Sequence, residues 1–311
     1  MNTRWCICVI GSGVNAVVSA NVISLLIGLL LLTHPGAACG DNMFVSNYGG
    51  GTPGIVQIDS SGASTVFAAN GLDLNGLAFD GAGNLYAASD CAVYKFNSSG
   101  SITATFSTNG LEPTALAFDS AGDLYVSDLN GRIWKFNSSG TATLFASTVP
   151  TIPFGLAFDR AGNLYAALGA IEVYGTNGVG RVFARSGLSG ARGLAFDSAG
   201  NLYVANNGNN TIEEFGTNGV GTVFASSGLN DPEGLAFDSA GNLYVANHGN
   251  NTIEEFGTNG VGTVFASSGF LNYPTDLAFE PVPEPSACLL LTIGLIALLT
   301  LRRKRLTEHV D

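Results

Sequence analysis

Between Asp41 and Glu280 the apolar positions come in short runs, alternating with small or polar residues, and Gly- and Asn-rich breaks separate the runs. A period of two is what strands packed face to face require. The unit that begins at Gly234 shows the pattern. Leu235-Ala236-Phe237-Asp238 reads as strand one, and Ser239-Ala240-Gly241 as a turn. Asn242-Leu243-Tyr244-Val245-Ala246 reads as strand two, and Thr252-Ile253-Glu254-Glu255-Phe256 as strand three. After Gly257-Thr258-Asn259-Gly260, Thr263-Val264-Phe265-Ala266 reads as strand four. Gly and Asn punctuate these runs because tight hairpin turns need positive φ. No helical period alternates with the runs, which excludes a parallel α/β sheet.

The unit recurs. Its marker phenylalanines are Phe79, Phe118, Phe158, Phe196, Phe237 and Phe279, spaced by 39, 40, 38, 41 and 42 residues. A fixed period of this size predicts a repeat architecture. Each strand type occurs six times, but the ends are out of phase. The N-terminal side supplies strand two (Met43-Phe44-Val45-Ser46-Asn47), strand three (Gly54-Ile55-Val56-Gln57-Ile58) and strand four (Ser64-Thr65-Val66-Phe67-Ala68) without a strand one. The C-terminal side supplies an extra strand one, Leu277-Ala278-Phe279. Two complementary partial units predict a closed ring, since joining them removes two exposed edges. The expected fold is an all-β, six-bladed β-propeller over residues 41–280, closed by the C-terminal strand joining the N-terminal three and flanked by two apolar helical segments.

Those flanks read as processing signals. Residues 1–38 carry Arg4, an apolar core from Val22 to Leu32 and the small residues Gly36-Ala37-Ala38, the order of a secretory signal peptide. Cleavage is expected after Ala38. Residues 281–311 hold Pro283-Glu284-Pro285, an apolar run from Ala287 to Leu301, and the basic end Arg302-Arg303-Lys304-Arg305. The run is short for a full membrane span, and the basic end belongs on the cytoplasmic side. The three parts in this order resemble a PEP-CTERM sorting signal. The resemblance implies transient anchoring in the inner membrane and cutting near Pro283-Glu284-Pro285 by an exosortase-type enzyme. The body would then be anchored at the cell surface or secreted.

The line Pro232-Glu233-Gly234-Leu235-Ala236-Phe237-Asp238-Ser239-Ala240-Gly241-Asn242-Leu243-Tyr244-Val245-Ala246-Asn247 resembles the NHL repeat, and Pro113, Pro153 and Pro274 recur at the equivalent point. This resemblance spans Asp41 to Glu280. It implies the six-bladed fold and leaves function open, because such propellers include binders, scaffolds and enzymes. Ser198–Gly228 and Ser239–Gly269 differ only at Asn207 versus His248, as a duplicated blade would.

Composition narrows the partners. The chain has 42 Gly, 46% apolar residues and 12% charged ones, which suits a turn-rich β protein rather than disorder. Residues 41–280 hold 7 of the 12 basic residues and 21 of the 24 acidic ones, a net of −14. Such a body repels phosphate backbones, so no nucleic-acid partner is expected. Of five cysteines only Cys39 and Cys91 could serve the body, and the repeat register places them at opposite strand ends, so no disulfide is expected.

Propellers gather function at the channel mouth, where loops from every blade converge. The residues just before each strand-one core are Asn75, Thr114, Phe154, Arg192, Glu233 and Thr275, with Asp276 replacing the usual Gly. They vary while the scaffold repeats, as a grafted ligand-binding site or drift at tolerant positions would. Arg192, Glu233 and Asp276 fall in successive blades and would form either a ligand-gripping cluster or a structural Arg192–Glu233 ion pair. Lactonase-type six-bladed propellers hold a divalent cation with Glu, Asn and Asp. Glu233, Asn75 and Asp276 supply those residue types without that family's surrounding sequence, so neither metal nor cofactor is expected. The Asp-x-Ala-Gly-Asn segments are too short for EF-hand loops and read as side-chain-stabilised turns. No Gly-x-Ser-x-Gly, His-Glu-x-x-His or phosphate-loop motif occurs, and His248 reads as a surface-loop residue. The first expectation is a non-enzymatic exported propeller that binds a protein or glycan. The alternative is a lactonase-like hydrolase or lyase with an acidic channel-mouth site.

Overall fold

Alternating apolar residues in four short strands cannot be buried within one small sheet, so each blade must stack on its neighbours. The computed structural model describes residues 42–49, 53–68 and 71–281. Among them lie twenty-four strands in six four-stranded antiparallel sheets. Five sheets follow chain order: β4–β7 (74–106), β8–β11 (113–147), β12–β15 (155–184), β16–β19 (191–225) and β20–β23 (232–266). The sixth is composite, in the order β24 (Pro274–Phe279), β1 (Met43–Asn47), β2 (Ile55–Ile58) and β3 (Ser64–Ala68). Its closing register pairs Met43 with Phe279, Val45 with Leu277 and Ser46 with Asp276. The Glu280 N–H extends this closure by donating to the Asn42 carbonyl at 2.9 Å. The ring is therefore closed by the strand that the out-of-phase ends anticipate. The two flanking segments expected to be helical lie outside the described residues, and with them the signal peptide and the sorting-signal residues 283–285 and 302–305. Among the described residues no helix is long and apolar enough to cross a membrane.

The marker phenylalanines rivet the blades together. Each meets the second-strand aromatic of the preceding blade: Phe118 on Tyr86 at 4.9 Å, Phe158 on Tyr125 at 4.9 Å, Phe196 on Tyr165 at 5.0 Å and Phe237 on Tyr203 at 5.0 Å. Phe279 on Tyr244 at 5.1 Å and Phe79 on Phe44 at 5.2 Å complete the set. These are edge-on contacts, worth about 0.5–1.5 kcal/mol each beyond their burial. The core itself sits between blades. In one interface Tyr203, Ala205 and Ile212 pack against Leu235, Val245 and Phe256 of the next blade.

The Asp-led segments are turns, as their composition implies. Asp197 Oδ1 accepts the N–H groups of Ala199 and Asn201 at 2.8 Å, and Asn201 Nδ2 donates to Asp197 Oδ2 at 2.9 Å. Strand one differs from its expected span. It runs Pro232–Phe237, starting three residues before Leu235, while Asp238 belongs to the turn. The early start follows from a bulge. Pro232 pairs with Asn247 and Leu235 with Val245, leaving one extra residue on the inner strand. Inner strands β4, β8, β16 and β24 carry the same irregularity. A bulge re-aims side chains out of the ladder, and here it turns them toward the channel.

Candidate functional site at the channel mouth

All seven mouth residues anticipated from the repeats line one cavity of about 570 Å³: Asn75, Thr114, Phe154, Arg192, Glu233, Thr275 and Asp276. The cavity is layered. One position deeper than the mouth residue, five blades present Gly or Ala: Gly76, Ala115, Gly155, Gly193 and Gly234. Close approach of the inner strands demands this. A Cβ on Gly234 would lie 2.6 Å from Asp276 Cα, and one on Gly193 would run into the Glu233 carbonyl. The closing blade is the exception, because Asp276 stands in that layer. Next along the strand, a buried leucine from every blade, such as Leu77, Leu194 and Leu235, also lines the cavity.

The seven residues divide into two groups. Three are inter-blade staples. Asn75 Nδ2 donates to the Pro113 carbonyl at 3.2 Å, Thr114 Oγ1 to Pro153 at 2.7 Å, and Thr275 Oγ1 to Leu74 at 2.8 Å. Each reaches the residue that precedes its counterpart in the next blade. Phe154, Arg192 and Glu233 make no such bond and form a contiguous cluster, and the charge of Glu233 is felt by Asp276. The Arg192 guanidinium lies 4.0 Å from the Phe154 ring centroid, and its Nε is 3.8 Å from Glu233 Oε1. The ion pair foreseen for Arg192 and Glu233 is thus present at long range. Asn207 Nδ2 approaches the same Glu233 oxygen at 3.4 Å.

Asp276 is held on both sides. Its Oδ2 accepts the Leu77 N–H at 2.8 Å, and its Oδ1 accepts its own neighbour's N–H, from Leu277, at 2.9 Å. Burial nevertheless pushes its carboxyl up to about 7 against those two donors, and the charge of Glu233 adds to the rise. Burial likewise pushes Glu233 up to about 7, opposed by Arg192 and reinforced by Asp231. Two carboxyls poised near neutrality therefore face one cavity.

The repeat pattern alone missed several participants. Ser46 is fully buried, accepts the Asp276 N–H on Oγ at 3.0 Å and donates to the Asn75 carbonyl at 2.6 Å. The available signal was that Ala88, Ala167, Ala205 and Ala246 stand at this point in four other blades, with a second serine, Ser127, in the β8–β11 blade, where it accepts the Ala115 N–H. Asp90, Glu112, Tyr48 and Leu129 reach the cavity from loops. His248, expected on the surface, is half-buried. Its ring lies 5.1 Å from that of Tyr273, its Nδ1 is shielded from solvent without a hydrogen-bond partner, and burial lowers its pKa. The loop packs there because the His248 N–H donates to the Asp231 carbonyl. Cys91 is an exposed free thiol, while Cys39 lies outside the described residues.

A lactonase-type cation would need Glu233, Asn75 and Asp276 to converge with oxygens to spare. Asp276 instead holds two backbone N–H groups, Asn75 is fixed toward Pro113 through its amide nitrogen, and Glu233 faces Arg192. No cluster of three His, Cys, Asp or Glu side chains suited to a metal occurs among the described residues. These residues do not fit a resident cation.

Fold and mouth together define a six-bladed β-propeller, and the NHL repeat model matches residues 229–256, within the fifth sequential blade. No curated protein matches the chain significantly. Among solved structures the chain is similar to virginiamycin B lyase from Staphylococcus aureus, at 18% identity and TM-score 0.55, covering 67% of this chain and 77% of that one. A catalytically inactive histidine-to-alanine variant of that enzyme, with quinupristin, matches equally well. A streptogramin B lyase is similar at 15% identity and TM-score 0.60, covering 78% of this chain and 90% of that one. A putative gluconolactonase follows at 19% identity and TM-score 0.53, covering 61% and 77%. At these identities the likeness establishes the fold.

Proposed function

We propose that the channel mouth is the active site of a hydrolase or lyase acting on a small or cyclic ester-bearing substrate, with Glu233 and Asp276 exchanging protons. The observation that carries this reading is the pair of carboxyls, both held near pH 7, in one cavity beside a guanidinium. A general acid or base works best when its pKa lies near the working pH. Glu233, beside Arg192, suits the base: it takes a proton from the substrate carbon or from an attacking water. Arg192 donates to the carbonyl oxygen on which charge develops. Asp276, deeper and favoured by burial in its neutral form, gives its proton to the leaving oxygen as the C–O bond breaks, an alkoxide when water attacks the ester carbon and a carboxylate when a carbon proton is taken. One proton is taken and one given, and solvent exchange resets the pair. The structural neighbours named as lyases and as a putative gluconolactonase support this reading over the binder expected first.

The test is a turnover screen of the purified body against simple lactones, a sugar-acid lactone and a cyclic depsipeptide such as quinupristin. A hit should show a bell-shaped pH–rate profile centred near 7. E233Q and D276N, each verified as folded, should lower kcat by about 10²–10⁴-fold. Retained activity in both variants would overturn the assignment. Binding without turnover of any substrate would return the mouth to a non-enzymatic role. Export, processing at Pro283-Glu284-Pro285 and a surface or secreted location belong to the same proposal, supported by the terminal motifs. Mass spectrometry of both ends of the mature protein tests them: an N-terminus near Cys39 and a C-terminus near Glu284 are expected, and unprocessed ends would overturn them.

A further inference from the structure

Ser198–Gly228 and Ser239–Gly269 are two units with a single differing position, Asn207 in the first and His248 in the second. Their backbones run alike at that point. The Asn207 and Gly208 N–H groups donate to the Gly190 and Ser189 carbonyls at 3.2 and 2.9 Å, and those of His248 and Gly249 donate to the Asp231 and Asn230 carbonyls at 3.1 Å each. Both loops then brace the next blade in the same way. Asn210 Oδ1 accepts the Asp231 N–H at 2.8 Å, and Asn251 Oδ1 accepts the Tyr273 N–H at 2.7 Å. The left-handed backbone of the braced residues recurs too, with φ of 48° at Asp231 and 49° at Tyr273. One scaffold thus carries two different tips.

The tips differ in what they touch. Asn207 Nδ2 donates to Glu233 Oε1 at 3.4 Å, the oxygen that also faces Arg192 Nε at 3.8 Å. Both contacts fall on that oxygen, and among the described residues neither a hydrogen bond nor an ion pair engages Oε2. His248 meets no such carboxyl. Thr275 stands where Glu233 would, its hydroxyl donating to the Leu74 carbonyl, and the His248 ring lies against Tyr273 instead. The one divergence between the two units therefore falls on the side chain that touches the mouth carboxyl. The last torsion of a glutamate is broad and roughly two-fold, so the side chain itself does not decide which oxygen faces a substrate. A donor fixed on one oxygen does.

We propose that Asn207 is the positioning residue for the base: its amide and Arg192 hold Glu233 Oε1, which leaves Oε2 to take the proton. This role rests on the reading of Glu233 as the base and adds the group that orients it. Asn207 acts through Glu233 and not on the substrate. As a donor it also favours the ionised carboxylate, on the side of Arg192 and against burial and the charge of Asp231. Asp276 is the other acid coupled to Glu233.

The test is a titration of the full-length protein by NMR, with isotope label at the glutamate side-chain carboxyl carbons and the Glu233 signal identified by its loss in E233Q. N207A removes the donor and should move the Glu233 midpoint upward by about half a pH unit. N207D keeps nearly the same shape, sets a like charge beside Glu233 and should move the midpoint upward by about one. H248N, the matching exchange in the companion unit, should leave it in place. A residue that merely shaped the loop would not order the variants by charge. Replacement there is compatible with folding, since the companion unit keeps the same backbone contacts around His248. On a lactone or depsipeptide turned over in the screen, N207A and N207D should lower kcat on the acid limb by about threefold and tenfold with KM unchanged, the same displacements read as rates. A Glu233 midpoint unmoved by both variants, moved further by N207A than by N207D, or moved as far by H248N would overturn the inference. Failure here is separable from failure of the enzymatic reading. A midpoint that moves as expected in a protein without turnover sinks the enzyme and leaves the hold of Asn207 on Glu233. Turnover that depends on Glu233, with a midpoint indifferent to Asn207, does the reverse.

Discussion

Replacing Glu233 by Gln should stabilise the protein at alkaline pH and do nothing at acid pH. A carboxyl whose ordinary value is 4.5 is held at about 7 in the fold, chiefly by burial. The folded state therefore binds more protons than the unfolded chain between those values. Stability must fall as pH rises through that window and stay low above it. Held at about 7, the ionised side chain opposes folding by about 3 kcal/mol, at about 1.4 kcal/mol per decade. Its side chain keeps 19% exposure, so solvent screening lowers the recoverable part to about 1–2 kcal/mol. Glutamine preserves the shape and an acceptor for Asn207. Urea unfolding at pH 8 should show the gain as a higher midpoint with an unchanged slope, and the gain should vanish at pH 4.5, where the native carboxyl is already neutral. Equal effects at both pH values, or a loss of stability at pH 8, would refute the claim that burial governs this group. Asp276→Asn makes the contrast. A single amide oxygen cannot accept from both Leu77 and Leu277. That variant should be destabilised at pH 5 by about 1–3 kcal/mol.

Other outcomes follow from the same architecture. Phe215 is fully buried between blades, and Phe215→Ala should lower stability by about 3–5 kcal/mol in denaturant melts. Ala278→Pro, two residues before the Glu280 N–H that donates to Asn42, removes a ladder donor from the closing strand opposite Phe44 and should destabilise the ring by about 3 kcal/mol or more, seen as a lower thermal midpoint; an unchanged midpoint would mean that the closing strand contributes little to the ring. In two blades a lysine reaches the turn aspartate, Lys95 to Asp80 at 3.5 Å and Lys135 to Asp119 at 3.4 Å, where Glu214 stands in a later blade and adds to the rise in the Tyr203 pKa. Glu214→Lys should raise stability by about 0.2–1 kcal/mol and lower the Tyr203 pKa, readable by ultraviolet titration. Arg192→Ala should move the acid limb of any pH–rate profile upward, since Arg192 is the group that pulls Glu233 down.

Much of the ring was readable along the chain because every blade repeats the same alternation. Tyr203 and Phe237 look alike in each copy, and each copy solves the same packing problem. The mouth positions were readable for the opposite reason: Phe154, Arg192 and Glu233 depart from the repeat, so their variation stood out against a constant scaffold. Departures that are small and chemically mild did not stand out. Ser46 differs from the alanines at its position by one oxygen, yet that oxygen holds the Asp276 backbone. His248 differs from Asn207 within a loop, and only the packed loop shows that its ring is half-buried against Tyr273.

By itself the sequence determined the blade count, the closing strand and which residues crowd the channel, because these follow from periodicity and from the arithmetic of unpaired strands. Only the tertiary structure decided which of those residues are staples and which keep their polar groups turned to the cavity. Thr114 and Thr275 reach the next blade's carbonyls, while Asp276 and Glu233 lose water without gaining a full counter-charge. That division depends on distances across the ring and on solvent exclusion, and neither is encoded in any single repeat.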